Sequence, residues 1–241
     1  LRSTSHSPPP FHPLDERAAT PVPAPRVERF VLLLFSGPAG RDLDLGTELR
    51  RLGFDVLEVD ICRGGAGHDV TLQSVAQWLL GLVSSGAVLF AHVANPCKSF
   101  SIRPFGSRPQ LRSLTEWRGI RPYPPEWANY LRRHNAVADF TVRFIMLCHA
   151  TRVPFTLENP ASRNRTVRGT PAHWERFDDW GSFWDYLTNE GVTEEIAPHR
   201  VTFPYCALDD SGPQKYTTLW ASLGAQQITD RFEGLACLHS H

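Results

Sequence analysis

Short apolar runs that stop at glycine, proline or an acidic residue recur along this chain. Phe30-Val-Leu-Leu-Leu-Phe35 is continuous and ends in Ser36-Gly37-Pro38-Ala39-Gly40. A parallel strand buried on both faces reads this way, because neither face meets water. Leu43, Leu45, Leu49 and Leu52 follow at near-helical spacing and stop at Gly53, a residue type that closes helices in the left-handed conformation. Phe54–Val59 alternates and ends at Asp60, as a second strand. Val75, Trp78, Leu79 and Leu82 mark a helix stopped by Gly86, and Ala87–Val93 is a third strand that runs into Asn95-Pro96-Cys97. Residues 98–125, with several Pro, Gly and Arg, read as loop. Residues 126–151 carry a helix with Val137, Phe140, Phe144, Ile145 and Leu147 on its inner side. Pro154–Leu157 is a strand ending at Glu158-Asn159-Pro160. After a Trp-rich segment (Trp174, Trp180, Trp184), strands are expected at Val201–Tyr205 and Thr217–Ala221. Strands alternating with helices predict an α/β fold with a mostly parallel sheet and helices on both faces. Ligands of such sheets bind beyond the carboxyl ends of the strands, where the unusual residues of this chain fall.

Residues 1–29 break the pattern. They are rich in Pro, Ser and Thr and poor in apolar side chains, so they read as a disordered leader or linker ahead of one domain over residues 30–241. The full length of 241 residues suits a single core plus a tail. Lys plus Arg and Asp plus Glu each number 25, so only local clustering can argue for nucleic acid. The five cysteines are odd in number and scattered, with no Cys-x-x-Cys pair. Neither a disulfide framework nor a zinc knuckle fits them, and a reducing, intracellular compartment, nuclear or cytoplasmic, is expected. No apolar run is long enough to span a bilayer, and no signal peptide stands at the N-terminus. The chain begins with Leu1, as a piece of a longer polypeptide would.

The strand ends hold the candidate chemistry. The turn Phe35–Gly40 allows backbone to approach a ligand closely, though a plain tight turn reads the same. Asp60 is placed to accept from ribose hydroxyls, Ile61 to pack on an adenine face, and Asp69 to accept from an adenine amino group; each is also readable as a solvated surface residue. Cys97 lies on a loop beside Lys98, and a nearby cation favours the nucleophilic thiolate; a small buried hydrophobe is the alternative. Glu158, beside Asn159 and a rigid Pro160, is positioned to hydrogen-bond a base edge. Lys98, Arg103, Arg108, Arg112, Arg118, Arg121, Arg132 and Arg133 interleave with Trp117, Tyr123 and Trp127, the mixture that phosphate neutralisation and base stacking require. Cys237-Leu-His-Ser-His241 carries metal-type side chains but stops before a full ligand set. It reads as an ordinary tail, and no metal is expected.

Taken in order, Phe-x-Gly, an acid after the second strand, Pro96-Cys97-x-x-Phe100-Ser101, Glu158-Asn159 and Ser211-Gly-Pro-Gln-Lys-Tyr-Thr-Thr-Leu-Trp220 resemble the DNA cytosine-5 methyltransferase family. The resemblance spans about Val31 to Ala221, and its Pro-Cys and Glu-Asn blocks are the specific ones. It implies a Rossmann-like methyltransferase fold and S-adenosylmethionine as cofactor. It also implies methyl transfer to carbon 5 of cytosine in DNA, on a base flipped out or already single-stranded. In that family a cysteine thiolate adds to carbon 6, and the resulting enamine attacks the methyl group. Carried over, Cys97 is the nucleophile and Pro96 fixes its loop. Glu158 holds ring nitrogen 3 and the amino group, and Asn159 steadies the loop. Phe35, Gly37, Gly40, Asp60, Ile61 and Asp69 line the cofactor site. Lys98, Arg103, Arg163, Arg165, Gln214 and Lys215 face nucleic acid.

The match has departures. Tyr216 and Thr218 stand where the family carries arginines, leaving Lys215, Arg163 or Arg165 to substitute. No segment is long enough for the usual target-recognition domain. The chain is more similar in this to compact phage and mobile-element methylases. The rival readings are an inactive nucleic-acid- or cofactor-binding remnant of a mobile element, an amino-methyltransferase, and an RNA cytosine methyltransferase. The amino-methyltransferase loop matches Asn95-Pro96 but not Cys97-Lys98.

Overall fold

A computed structural model describes residues 28–41, 44–101, 109–123, 125–162, 177–208 and 215–237. The apolar runs form a six-stranded mixed sheet in the order β2-β1-β3-β4-β6-β5. The strands are β1 (Phe30–Leu34), β2 (Val56–Val59), β3 (Val88–Ala94), β4 (Phe155–Pro160), β5 (His199–Pro204) and β6 (Tyr216–Ala221). β1 through β4 pair in parallel, while β6 runs antiparallel to both β4 and β5. β5 therefore points the same way as β1 to β4, and β6 alone is reversed. The α/β class and the mostly parallel sheet agree with the sequence pattern. The reversed strand does not follow from that pattern, because alternation fixes which side chains are buried and leaves strand direction open.

β4 runs further than its apolar residues indicate. Glu158, Asn159 and Pro160 remain in the strand, paired with Leu219, Thr218 and Thr217 of β6. The antiparallel neighbour satisfies backbone groups that a parallel sheet would have released at Leu157. Glu158 consequently projects from a strand and not from a loop.

Helices cover both faces. Leu32, Leu34, Val59, Ala91, Val93, Phe155, Leu157 and Trp220 pack with α3 (Gln73–Ser84), α4 (Pro125–Ala150), α5 (Phe183–Asn189) and α6 (Val192–Ile196) in the main core. On the opposite face, α1 (Leu45–Arg51) lies against β2, where Gly46 meets the Glu58 carboxylate. Val201, Phe203 and Leu219 pack there with Phe232 and Leu235, just after α7 (Gln226–Asp230). Helix α2 (Ile61–Gly64) is a single turn after Asp60. The turns at Gly53 and Gly86 take positive φ, 87° and 75°, as their stop role requires. Trp78 differs from expectation: it is 42% exposed, and Val75, Ala76, Leu79 and Val83 form the buried stripe of α3.

The chain moves from β1 outward to β2, then crosses back over β1 to β3. The strand order thus reverses between β1 and β3. In open α/β sheets such a reversal is where the ligand-binding crevice lies, at the carboxyl ends of the strands. Among the described residues, no helix is long and apolar enough to cross a membrane.

Candidate functional site

The crevice is bordered by the ends of β1, β2, β3 and β4, so the sequence candidates converge on one edge. At the end of β1, Phe35 takes φ 61° and donates its N–H to Val59 O at 2.7 Å. That left-handed turn is costly for an aromatic residue, and it bends the chain out of the sheet into Gly37, which also has positive φ, 75°. Gly37 N–H donates to Asp60 Oδ2 at 2.8 Å, and Asp60 Oδ1 caps α2 through Cys62 N–H at 2.7 Å. Each carboxylate oxygen keeps a further lone pair, so the capped Asp60 can still accept from a diol. Ile61, beside it, is 45% exposed, an uncovered apolar face next to the acid. Space above Gly37 is taken up by the Arg41 guanidinium, about 3.1 Å from where a Cβ would stand. Arg63 closes the floor by donating to Gly37 O at 2.7 Å, while ion-pairing with Asp44 at 3.2 Å and Glu58 at 2.9 Å. Arg63 carries no motif signal in the sequence; only the fold brings it under the turn. Gly40 is exposed, with nothing near its Cβ position. Asp69 caps the following turn through Thr71 N–H at 3.0 Å and pairs with Arg133 at 3.2 Å, so its carboxylate already has protein partners.

At the end of β3 the chain turns through Asn95, Pro96 and Cys97. Asn159 of β4, only 1% exposed, donates its side-chain amide to Asn95 O at 2.6 Å. Asn95 Oδ1 accepts from Thr141 Oγ1 of α4 at 2.9 Å. These two bonds clamp the start of the Cys97 loop between a strand and a helix. Beyond it, Phe100 N–H returns to Cys97 O at 2.9 Å. Phe100 is buried against Phe183, Tyr186 and the Arg112 guanidinium.

Cys97 is half-buried, and its thiol is pushed above its ordinary value, chiefly by burial. Lys215 opposes that shift, Glu158 reinforces it, and Lys98 gives a smaller opposing pull. Lys98 favours the thiolate in direction, but it is exposed and its pull is small: desolvation outweighs it, and Lys215 is the stronger cation. Lys215 Nζ lies 3.5 Å from Glu158 Oε1 and 4.9 Å above the Tyr205 ring. Tyr205, a residue the sequence did not single out, has its hydroxyl pushed up to about 12 by burial and by Glu158. His92 sits on the same sheet face as Glu158. Burial drives its pKa down, and its Nδ1 meets Thr156 Oγ1 at 2.9 Å.

The expected nucleic-acid face is thinner than the arginine count implies. Arg112 is 2% exposed and acts inside the core. Arg118 pairs with Asp139 and Glu190, and Arg133 with Asp69. Arg121, Arg132 and Lys98 are exposed. Arg103, Arg108, Arg163, Arg165 and Gln214 lie outside the described residues. Tyr216 and Thr218, at the family's arginine positions, are buried in β6. A small cleft lies elsewhere, lined by Trp184, Arg200, Thr218 and Trp220 on the sheet face opposite Glu158.

Neither a family model nor a curated protein matches this chain.

Proposed function

We propose that this chain is an S-adenosylmethionine-dependent methyltransferase of Rossmann-like fold that methylates carbon 5 of cytosine in DNA through Cys97. One observation carries the reading. A clamped cysteine loop and a strand-borne glutamate sit at adjacent carboxyl ends, with a lysine acting on both, beside the crevice where the strand order reverses.

The residues around the crevice fit the cofactor. Asp60 has free lone pairs for the ribose hydroxyls, Ile61 offers an apolar face to adenine, and Phe35–Gly37 bend backbone out of the sheet, where the exposed Arg41 side chain must swing aside to admit the rest. The cofactor supplies the methyl group. Cys97 must lose its proton to add to carbon 6, and burial opposes that loss. Lys215 lowers the cost, and a proton taken up from solvent as the base binds, shared between Glu158 and the acceptor ring nitrogen 3, would cancel the carboxylate's repulsion of the thiolate. Nucleophile activation would then be coupled to base binding. When carbon 5 has taken the methyl group and released its proton, the sulfur–carbon bond breaks and the thiolate returns. Lys215 takes the electrostatic place that buried Tyr216 and Thr218 leave empty.

DNA bearing 5-fluorocytosine tests this, because the fluorine cannot leave as a proton and the adduct persists. The expected result is a covalent complex in the presence of S-adenosylmethionine, absent in Cys97→Ser. Calorimetry should find the cofactor still bound by Cys97→Ser and weakened by Asp60→Ala. The buried Tyr216 and Thr218 favour one rival, a remnant that binds cofactor without chemistry. Cofactor binding with no adduct on single- or double-stranded DNA would establish that rival. An adduct only with the RNA analogue would move the substrate to RNA.

A further inference from the structure

Cys206 and Cys237 are 31 positions apart, yet their sulfurs stand 3.4 Å from each other, too close for another atom to lie between them. Cys206 is 3% exposed, in the turn Tyr205–Ala207 that follows β5. Cys237 is half-buried and packs with Ala161 and Tyr216. Neither is used by the chemistry at Cys97. Two other cysteines show how different the surroundings of a thiol are in this fold. Cys62 is exposed beside Asp60, whose hydrogen bond and charge hold its thiol up. Cys148 is 0% exposed in the main core, its thiol pushed up to about 12 by burial.

A disulfide requires about 2.05 Å between sulfurs, so the pair has about 1.4 Å left to close. The segments that must shift are a single turn past β5 and the irregular chain Leu235–Cys237, so the strands themselves can stay in place. We propose that Cys206 and Cys237 are a redox-reversible pair that a hydroperoxide converts to a disulfide, stapling the chain after α7 to the β5–β6 hairpin. Their exposures set the order of events. Peroxide reaches half-buried Cys237 first: one peroxide oxygen joins its sulfur as a sulfenic acid, and the other leaves as water. The Cys206 sulfur then attacks the Cys237 sulfur. The sulfur–sulfur bond forms, the sulfenic sulfur–oxygen bond breaks, and the oxygen leaves as a second water with the Cys206 proton. One peroxide is reduced to two waters while two thiols are oxidised to one disulfide. The second step joins atoms already in contact, which lets it outrun further oxidation of Cys237. A dithiol reductant reverses the linkage. The closed loop, residues 206–237, contains all of β6, so the bond restricts the unfolded chain. Its position also bears on the crevice. Tyr205, adjacent to Cys206, donates its N–H to Lys215 O at 2.9 Å and lies with its ring under the Lys215 ammonium. The staple grips the wall that presents Lys215 to Glu158.

The test uses the full chain, reduced and then freed of reductant. It is treated with hydrogen peroxide, blocked with iodoacetamide and digested with trypsin without reduction. Cleavage after Arg200, Lys215 and Arg231 puts Cys206 in Val201–Lys215 and Cys237 in Phe232–His241. Mass spectrometry should find these peptides joined, lighter than their sum by a pair of hydrogens, and dithiothreitol should return them as separate alkylated peptides. The joined species should persist in Cys62→Ser and vanish in Cys206→Ser, where Cys237 should carry oxygen instead. The oxidised chain should unfold about 5–15 °C above the reduced one, the shift expected for a loop of ~30 residues in a domain of this size. Cys206→Ser should gain nothing on oxidation. The unaltered chain gives both readings, so no variant needs to fold. Separate alkylated peptides in a chain whose Cys62 has been oxidised overturn the proposal. So does Cys237 linked to a different cysteine or to a second chain, or a joined pair with an unchanged unfolding midpoint. None of these outcomes depends on methyl transfer.

Discussion

Arg112→Met separates two roles for an arginine that the sequence places on a nucleic-acid face and the fold places in the core. The guanidinium is 2% exposed, donates to Trp117 O, to Ser99 Oγ at 3.1 Å and to Asn135 Oδ1 at 2.8 Å, and lies 4.1 Å from the Phe100 ring centroid. Methionine fills similar space but donates nothing. Removing the charge also removes its desolvation cost, so the loss is set by the acceptors left behind. Ser99 is buried and has few routes to water, while Trp117 and Asn135 are half-buried and can be partly rehydrated. At ~1–3 kcal/mol per orphaned acceptor, with the half-buried pair near the low end, the expected destabilisation is about 3–5 kcal/mol. For a domain of this size the thermal midpoint should fall on the order of 10 °C. Urea unfolding with and without the substitution measures it. Arg112→Lys should recover little, because one ammonium cannot reproduce the planar fork that reaches three acceptors. A loss under ~0.5 kcal/mol, the range of ordinary surface changes, combined with weakened DNA binding, would refute the core role and restore the surface one.

Two further perturbations act on the crevice. Alkylation of Cys97 by iodoacetamide, followed by peptide mass spectrometry, should rise with pH and level off above the ordinary thiol range, because burial holds the thiol up. Lys215→Met removes a cation that lowers the thiol pKa and should move the profile to higher pH; Glu158→Gln removes an anion that raises it and should move the profile to lower pH. Identical profiles in all three proteins would show that these charges do not act on the sulfur. Gly46→Ala should cost about 1–3 kcal/mol by overpacking. The new methyl meets the Glu58 carboxylate, which ion pairs to Arg50 at 2.7 Å and Arg63 at 2.9 Å hold in place. Since Arg63 also donates to Gly37 O, S-adenosylmethionine affinity should fall with stability; unchanged affinity would disconnect Arg63 from the turn.

Much of the candidate site is legible before folding, because strand ends in open α/β sheets are marked by where apolar runs stop. Asp60 and Cys97 each follow such a stop. Glu158 was legible as a residue but not in its setting, since an unseen antiparallel neighbour carries β4 past Leu157. Sequence places Lys98 beside Cys97, yet Lys215 acts on the thiol more strongly, because adjacency in sequence gives no measure of burial or of what approaches from another strand. Arg112 shows the same limit: the type of a charged side chain does not tell whether hydrogen bonds have made a place for it inside.

The sequence by itself determined the strands, the helices α1, α3 and α4, and which reactive side chains stand at strand ends. Those features follow from local periodicity and from residues that stop a run. The short helices α2, α5, α6 and α7 and the exposure of Leu45, Leu52 and Trp78 were not legible in it. Only the tertiary structure decided the reversed direction of β6, the Asn159–Asn95–Thr141 clamp on the cysteine loop, and the pairing of Lys215 with Glu158. It alone brought Cys206 to Cys237. Each of these contacts joins residues far apart in the chain. Their geometry is set by how helices and sheet pack to exclude water, which no local pattern records.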